Sequence, residues 1–341
     1  MNYPVIALTS GDINGIGLEV ALKTLNSLGR FPFTPVLICP PHIVDACIEG
    51  LNFELPYRSI TSANDIEASG ELQVLSSPEL FTEPDIASNP GHITEEAGRL
   101  AMESVDVAIT LCLEEVAEAM VTAPISKEAI QLAGYDFPGH TEYLVQKTHA
   151  TTYAMMLVNE SLRVVPCTIH IPIKDVAPTL SQSAILSQLK VIDQSLRDDF
   201  GMATPAIAVL GLNPHAGDGG VIGDEEQRTI EPAIEHAKKQ GLDIEGPFPA
   251  DGFFGSHAYK EYDAILAMYH DQGLVPFKTL TFNKGVNFTA GLPIVRTSPD
   301  HGTAFGIAGQ NRASAGSYRE ALELAATLSA KRTGKQTGSG G

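Results

Sequence analysis

An α/β fold built on a largely parallel sheet is what this sequence predicts. Short apolar runs alternate with helix-patterned segments along the chain, and such alternation marks βαβ units. The length, 341 residues, exceeds most single cores and points to one large or two medium domains. There is no internal repeat and no apolar run long enough for a membrane-spanning helix.

The elements follow in order. "YPVIAL" (3–8) reads as a short buried strand, then comes the glycine-rich turn "TSGDINGIG" and a helix over "LEVALKTLNSLGR". "TPVLICP" (34–40) is a second strand, ended by Pro40 and Pro41. Residues 51–92 carry scattered Pro, Ser and Asn and no clear period. The segment 93–115 has helical spacing with acidic residues in its first turn, where the helix dipole favours them. "EAMVTAPIS" (118–126) is strand then turn, with Ser126 placed to cap a helix from Lys127. Residues 152–170 predict a hairpin about Asn159-Glu160-Ser161. Beyond it lie a helix over 181–201, a strand over 205–212, a helix over 224–241 with an acidic start, a strand over 262–269 and a last helix over 317–332. The tail 333–341 is expected to be flexible.

Composition excludes some functions. With 22 basic against 41 acidic residues the net charge is −19, and no basic stripe suggests a nucleic-acid partner. The charge favours solubility. It also means that any phosphate must be met by a local cationic cluster working against the global field. The four cysteines (Cys39, Cys47, Cys112, Cys167) form no CxxC pair, and three sit in or beside apolar runs. Buried free thiols in a reducing cytoplasm are expected, and the N-terminus reads as a first strand rather than a signal peptide.

The stretch "AILAMYHDQGLVPFKTL" (264–280) opens the functional reading. An apolar run ends at Met268 and His270, Asp271 and Gln272 follow at once. Two other runs end similarly: His170 closes "VVPCTIH", and His215 lies just beyond "AIAVLGL" in "NPHAGDGG". In open α/β sheets ligands bind outside the carboxyl ends of strands. Three neutral imidazoles meeting there would leave a coordination position open, as a catalytic divalent metal requires. Asp251, in "PADGFF", is a further oxygen ligand or supporting partner. Any one such histidine alone is more often a hydrogen-bonded structural residue. The metal reading rests on the three together.

A second constellation is basic. Lys278, Asn287 and Arg296 follow one another at equal intervals, and "PGHTEYL" (138–144) puts His140 and Thr141 at a helix start, where anions bind. Arg and Lys can fix carboxylate and phosphate groups, although any one of these residues alone is more often solvated loop charge. Glycine-rich turns are the third signal: "SGDINGIGLE" and "PDHGTAFGIAGQ" (299–310). The first is not GxGxxG and has no acidic residue closing a strand at the right distance, so a Rossmann dinucleotide site is not indicated.

The motifs "GDINGIGLEV", "PGHTEYL", "HIPIKDV", "LNPHAGDGG", "PADGFF", "AMYHDQG" and "GVNFTAGLPIVRTSPDHGTAFGIAG" occur in this order from residue 11 to 309. Together they resemble the 4-hydroxythreonine-4-phosphate dehydrogenase family and, more distantly, the isocitrate and isopropylmalate dehydrogenases. The resemblance implies two α/β/α domains with a cleft between them. The first would comprise 1–130 with 300–332, on the cofactor side, and the second 131–299, on the metal and dimer side. It implies a nicotinamide cofactor, NAD or NADP, bound without a Rossmann domain, with Gly302, Thr303 and Gly309 near its adenosine part. It further implies one divalent metal (Zn, Mg, Co or Mn) on His170, His215 and His270, contributed by both subunits of a homodimer with the active site at the interface. His140, Thr141, Lys278, Asn287 and Arg296 match substrate-contacting positions. Two departures stand out: Ile13-Asn14 where Pro and a small residue are common, and Leu18 where Pro is frequent.

The implied reaction is metal-dependent oxidation of 4-(phosphooxy)-L-threonine in pyridoxine 5'-phosphate biosynthesis, by a cytoplasmic enzyme with no nucleic-acid or membrane partner. The product, 2-amino-3-oxo-4-(phosphooxy)butanoate, decarboxylates to 3-amino-2-oxopropyl phosphate. Lys278, Asp251 and a metal-bound water are candidates for the general base. The alternatives are a related dehydrogenase for threonate or erythronate 4-phosphate or a dihydrodiol carboxylate, and, further off, a three-histidine metal-dependent hydrolase.

Overall fold

The computed structural model describes residues 3–83, 85–281 and 284–333. The chain forms two compact units, one of Met1–Ala150 with Leu292–Gly341 and the other of Thr151–Gly291. It leaves the first unit after residue 150 and re-enters it at 292, inside the segment 131–299 expected to form a second domain. The expected tail, apart from Thr333, lies outside the described residues.

The first stretch of the chain runs β1 (Val5–Thr9), α1 (Gly17–Leu28), β2 (Thr34–Ile38), α2 (Pro41–Leu51), β3 (Arg58–Ile60), β4 (Gln73–Leu75) and α3 (Glu95–Leu113). It continues with β5 (Ala119–Val121), α4 (Lys127–Leu132) and α5 (His140–Thr148). The second unit holds β6 (Ala154–Asn159), β7 (Leu162–Thr168), α6 (Val176–Thr179), α7 (Gln182–Asp198), β8 (Ala206–Leu210) and α8 (Glu231–Lys239). Its remaining elements are β9 (Asp243–Phe248), α9 (Ala250–Gly255), β10 (Ala264–Tyr269), α10 (His270–Thr281) and β11 (Val286–Ala290). The chain closes with β12 (Val295–Pro299) and α11 (Gly316–Thr333).

In the first unit the strands are ordered β3-β4-β2-β1-β5-β12, and every pairing is parallel. All residues of β1 and β2 are buried, as strands covered on both faces must be. Their apolar character is therefore continuous rather than alternating. Ser126 caps α4 as expected, accepting from Ala129 N at 3.2 Å. Thr94 caps α3 in the same way. Pro41, expected only to end β2, also takes the first position of α2, where its missing N–H costs nothing.

In the second unit the order is β11-β6-β7-β10-β8-β9. β7, β10, β8 and β9 are parallel, while β6 pairs antiparallel with β7 through the expected hairpin and, on its other edge, antiparallel with β11. The core on the α10 side packs Leu157, Val164, Ala267, Leu274 and Phe277 with Phe253 and Tyr259. The helix expected over 224–241 begins differently: a π turn, Glu226–Ile230, precedes α8. Among the described residues no helix is long and apolar enough to cross a membrane. Cys39 and Cys112 are buried, Cys47 and Cys167 are partly so, and all four are free.

Candidate functional site

Two of the three histidines leave neighbouring strands at one level. Tyr269 of β10 is paired with Thr168 of β7, so the residues just beyond, His270 and His170, emerge side by side. Their ring centroids lie 5.9 Å apart. Thr168 Oγ1 donates to Met268 O at 2.8 Å and fastens the two strand ends. His270 Nδ1–H donates to Asp271 Oδ1 at 2.7 Å, which leaves Nε2 as the free lone pair.

His215 arrives by a different device. Beyond β8 the chain enters a turn in which His215, Ala216, Gly217, Asp218 and Gly219 all have positive φ. For the three non-glycine residues this conformation costs roughly 1–2 kcal/mol each, so something must hold it. Glu226, only 1% exposed, does so. Its Oε1 accepts from Leu212 N at 2.8 Å and Asn213 N at 2.7 Å, and its Oε2 accepts from Asn213 Nδ2 at 2.9 Å. Hydrogen bonds to charged groups are worth about 1.5–3 kcal/mol each, enough to offset the strain. A Cβ at Gly217 would lie 2.7 Å from Glu226 Oε2, so glycine there lets the carboxylate approach. From the other side Gln272 Nε2 donates to Gly211 O at 2.6 Å, while its Oε1 accepts from Met268 N.

Glu226 was not singled out from sequence. Its only sign there was an acidic residue at a helix start, which the dipole explains equally well. Here Glu225 and Glu226 both turn back onto Asn213.

Of the other residues predicted in this unit, Lys278 lies on α10, about 12 Å along the axis from His270 at 1.5 Å per residue. It is exposed. Asn287 lies on β11 opposite Leu157, with its Oδ1 buried and without a hydrogen-bond partner. Asp251 is exposed in the first turn of α9.

A divalent metal is implied by the resemblance, and the donor set can be tested for it. Imidazoles bound to one zinc at 2.0–2.1 Å place their centroids about 3.2 Å from the ion, so two such rings can be at most about 6.4 Å apart. The His170–His270 pair falls inside that limit, and the carboxylate on His270 Nδ1 is the usual support of a metal-binding imidazole. Among the described residues no group of three or more His, Cys, Asp or Glu is placed to hold a metal within one chain. The resemblance divides the ligands between two subunits; a single chain presents the pair.

The first unit carries a buried cation. Arg296, on β12, is 2% exposed, and its Nε and Nη2 donate to Thr122 Oγ1 at 3.0 and 2.7 Å. It is thus no solvated loop charge. Burial lowers its pKa to about 10, opposed by the Glu142 carboxylate. His140 begins α5, with Thr141 next and Glu142 in the first turn. Burial, and then the Arg296 charge, hold the His140 pKa well below 6.5. Its Nε2 is inaccessible and has no hydrogen-bond partner. A neutral imidazole, a hydroxyl and a desolvated guanidinium in one unit suit a multiply charged anion.

The same unit contains a cavity of about 230 Å³ lined by Ile13, Gly15, Leu18, Ile43, Pro90 and Gly309 among others. The turn after β1 is bound to the late glycine-rich loop, because Ile16 N donates to Thr303 O at 2.9 Å. A Cβ at Gly15 would stand 2.8 Å from Thr303 O, so only glycine permits that approach. Of the expected cofactor residues, Gly309 lines the cavity, Thr303 braces it, and Gly302 is in the same loop. Its lining is mixed, with Glu19, Ser88 and Asn311 beside the apolar side chains, which suits a flat heteroaromatic ring with polar edges.

Comparison with known proteins adds the deciding observation. The family model described as "Pyridoxal phosphate biosynthetic protein PdxA" matches residues 32–325. The chain belongs to the PdxA family. It is 46% identical over 328 residues to 4-hydroxythreonine-4-phosphate dehydrogenase of Prosthecochloris aestuarii, covering 94% of this chain and 95% of that one. It is 39% identical over 330 residues to D-threonate 4-phosphate dehydrogenase of Salmonella typhimurium, covering 96% and 100%. A crystal structure of 4-hydroxythreonine-4-phosphate dehydrogenase from Klebsiella pneumoniae superposes with a TM-score of 0.87 at 38% identity, covering 96% and 98%.

Within this PdxA chain the departure at Asn14 has a visible role. Asn14 Oδ1 accepts from Asn89 N at 2.6 Å, and its carbonyl accepts from Gly91 N at 2.8 Å. Its Nδ2 donates to Thr94 Oγ1 at 3.3 Å. The side chain therefore pins the segment that brings Pro90 to the cavity wall, as a smaller apolar residue could not.

Proposed function

We propose that this PdxA-family chain oxidises 4-(phosphooxy)-L-threonine at its C3 hydroxyl, with NAD or NADP as hydride acceptor. The resulting β-keto acid loses CO2 to give 3-amino-2-oxopropyl phosphate. The observation that carries the proposal is the His170–His270 pair, set at one level by β7 and β10 with Asp271 orienting one ring.

His170, His215 and His270 would hold a divalent cation, with zinc, magnesium, cobalt and manganese all compatible with imidazole. When bound, such a cation lowers the pKa of a coordinated hydroxyl and holds the negative charge left by decarboxylation. In the first unit the desolvated guanidinium of Arg296, oriented by its bonds to Thr122 Oγ1, is assigned to a substrate oxyanion, and Thr141 adds a hydroxyl at the α5 N-terminus. His140, kept neutral, can donate or accept a hydrogen bond without adding charge. In the second unit Lys278 and the unpartnered Asn287 Oδ1 are assigned to the substrate's charged and amino groups. Lys278 and Asp251 stand as candidates for the base that removes the hydroxyl proton. The cavity beside Gly309 is assigned to the adenosine end of the cofactor, with Gly302 and Thr303 shaping its wall.

A homodimer fits the surface around the histidines. Ile171 and Ile173 follow His170, Val221 and Ile222 follow His215, and Val275 and Leu280 follow His270, all exposed. A second copy would cover these apolar side chains and complete the ligand set. The free cysteines fit a reducing, cytoplasmic setting.

The 39%-identical threonate 4-phosphate dehydrogenase supports a second reading, in which a hydroxyl stands where the amino group would be. A substrate panel separates the two. Metal-stripped and metal-restored enzyme is assayed for nicotinamide reduction with 4-(phosphooxy)-L-threonine, threonate 4-phosphate and erythronate 4-phosphate. The proposal expects the amino-acid substrate to have the highest kcat/KM, dependent on metal. Turnover of threonate 4-phosphate alone would replace it, and no reduction with any of them would remove both readings.

A further inference from the structure

We propose that Glu226 is the positioning residue of the His215 turn: its buried carboxylate sets the aim of the imidazole and thereby the affinity for the metal. The inference rests on the reading of His215 as a metal ligand.

Three features point the same way. The carboxylate is enclosed, and both of its oxygens are spent on the residues just before Pro214: Leu212 N, Asn213 N and Asn213 Nδ2. Two glycines make room for it, since a Cβ would come within 3.1 Å of Oε1 at Gly211 and 2.7 Å of Oε2 at Gly217. The turn it secures has five consecutive residues in the left-handed region, beginning with His215 itself. Such a conformation is kept only where its surroundings determine it, and it recurs where a side chain must be aimed. The π turn that starts at Glu226 is the local adjustment by which this helix start faces Asn213.

On the opposite side Gln272, two residues from His270, holds Gly211 O. Gly211–Asn213 is thus clamped between groups tied to two of the three histidines. Glu226 touches none of the reacting partners and acts only through His215.

The test uses the full chain with Zn2+ as probe. Wild type, His215→Ala, Glu226→Gln, the double variant and Asn213→Ala are stripped of metal. Zn2+ affinity is then measured by competition with a chelator, and hydrogen exchange is followed over 212–223. Glutamine keeps the shape of Glu226 but turns a donor toward Leu212 N or Asn213 Nδ2. The expected result is a 10–100-fold weaker Zn2+ affinity, as for loss of a ligand-orienting partner. Faster exchange confined to 212–223 is expected with it. In the double variant Glu226→Gln should add nothing to the loss already caused by His215→Ala. Unchanged affinity or unchanged exchange in Glu226→Gln overturns the proposal, as do additive losses in the double variant. If Glu226→Gln does not fold, Asn213→Ala reads the same clamp, with a smaller loss of affinity supporting the proposal and none overturning it. Unchanged affinity in His215→Ala would instead remove His215 from the metal site, and the exchange data would then decide the clamp alone.

Discussion

His170 and His270 present their rings 5.9 Å apart because Thr168 and Tyr269 are register partners on parallel strands. Aspartate 271 holds the second ring by Nδ1. Asp271→Asn keeps the size of that partner but removes its charge. Metal affinity should fall about 10–100-fold, the usual effect of losing such a support. Chelator competition measures it, and thermal unfolding of the metal-free protein should hardly change, because Asp271 is exposed.

Arg296 should not tolerate lysine. The guanidinium donates twice to Thr122 Oγ1 inside the first unit, and an ammonium on a flexible stem cannot reproduce that fork. Arg296→Lys should lower kcat/KM about 10–100-fold, corresponding to one charged hydrogen bond of about 1.5–3 kcal/mol. The loss should appear mainly in the KM of the phosphorylated substrate, with the KM of the nicotinamide cofactor nearly unchanged.

Asp12 should make the folded protein prefer a proton. It is fully buried in the turn after β1; its Oδ1 accepts from Asn14 N while its Oδ2 has no partner. Burial raises its pKa from 3.8 to about 6. A raised pKa means that its contribution is complete below pH 3.8 and is lost as pH rises through about 6. The difference amounts to about 3 kcal/mol at 1.36 kcal/mol per pH unit. Asp12→Asn should therefore gain stability relative to wild type between about pH 4 and pH 7, as read by denaturant titration. A pH-independent difference would contradict this.

His140 should act in the opposite sense. Burial and Arg296 depress its pKa below 6.5, so the unfolded chain takes up a proton that the folded one refuses. Its contribution is complete above pH 6.5 and is lost as pH falls through the depressed folded-state value. His140→Gln should flatten the acid limb of the stability curve.

Much of this architecture was legible in the residue pattern, and the misses have physical causes. β1, β2 and β10 were visible because parallel strands buried on both faces are unbroken apolar runs. Ser126 was found at a helix start because capping chemistry is local, whereas Thr141 lies in the first turn of α5 and caps nothing, Gly139 being the N-cap. α10 escaped because Gly273 and Pro276 lie inside it, and β3 and β4 because three residues carry no period. Lys278, Asn287 and Arg296 looked like a row of loop residues, yet they occupy a helix and two strands. The roles of Glu226 and Asn14 could not be read, although Asn14 stood out as a departure from the family pattern. Each matters through contacts with distant backbone, and residue type alone does not disclose such contacts.

The most direct measurement is anomalous scattering from crystals grown with a divalent transition metal, with the complete assembly built. A single strong peak about 2.0–2.1 Å from nitrogens of His170, His215 and His270, with or without a symmetry-related copy, is the predicted result. A metal bound elsewhere, or a His215 ring far from the other two in every assembly, would contradict it.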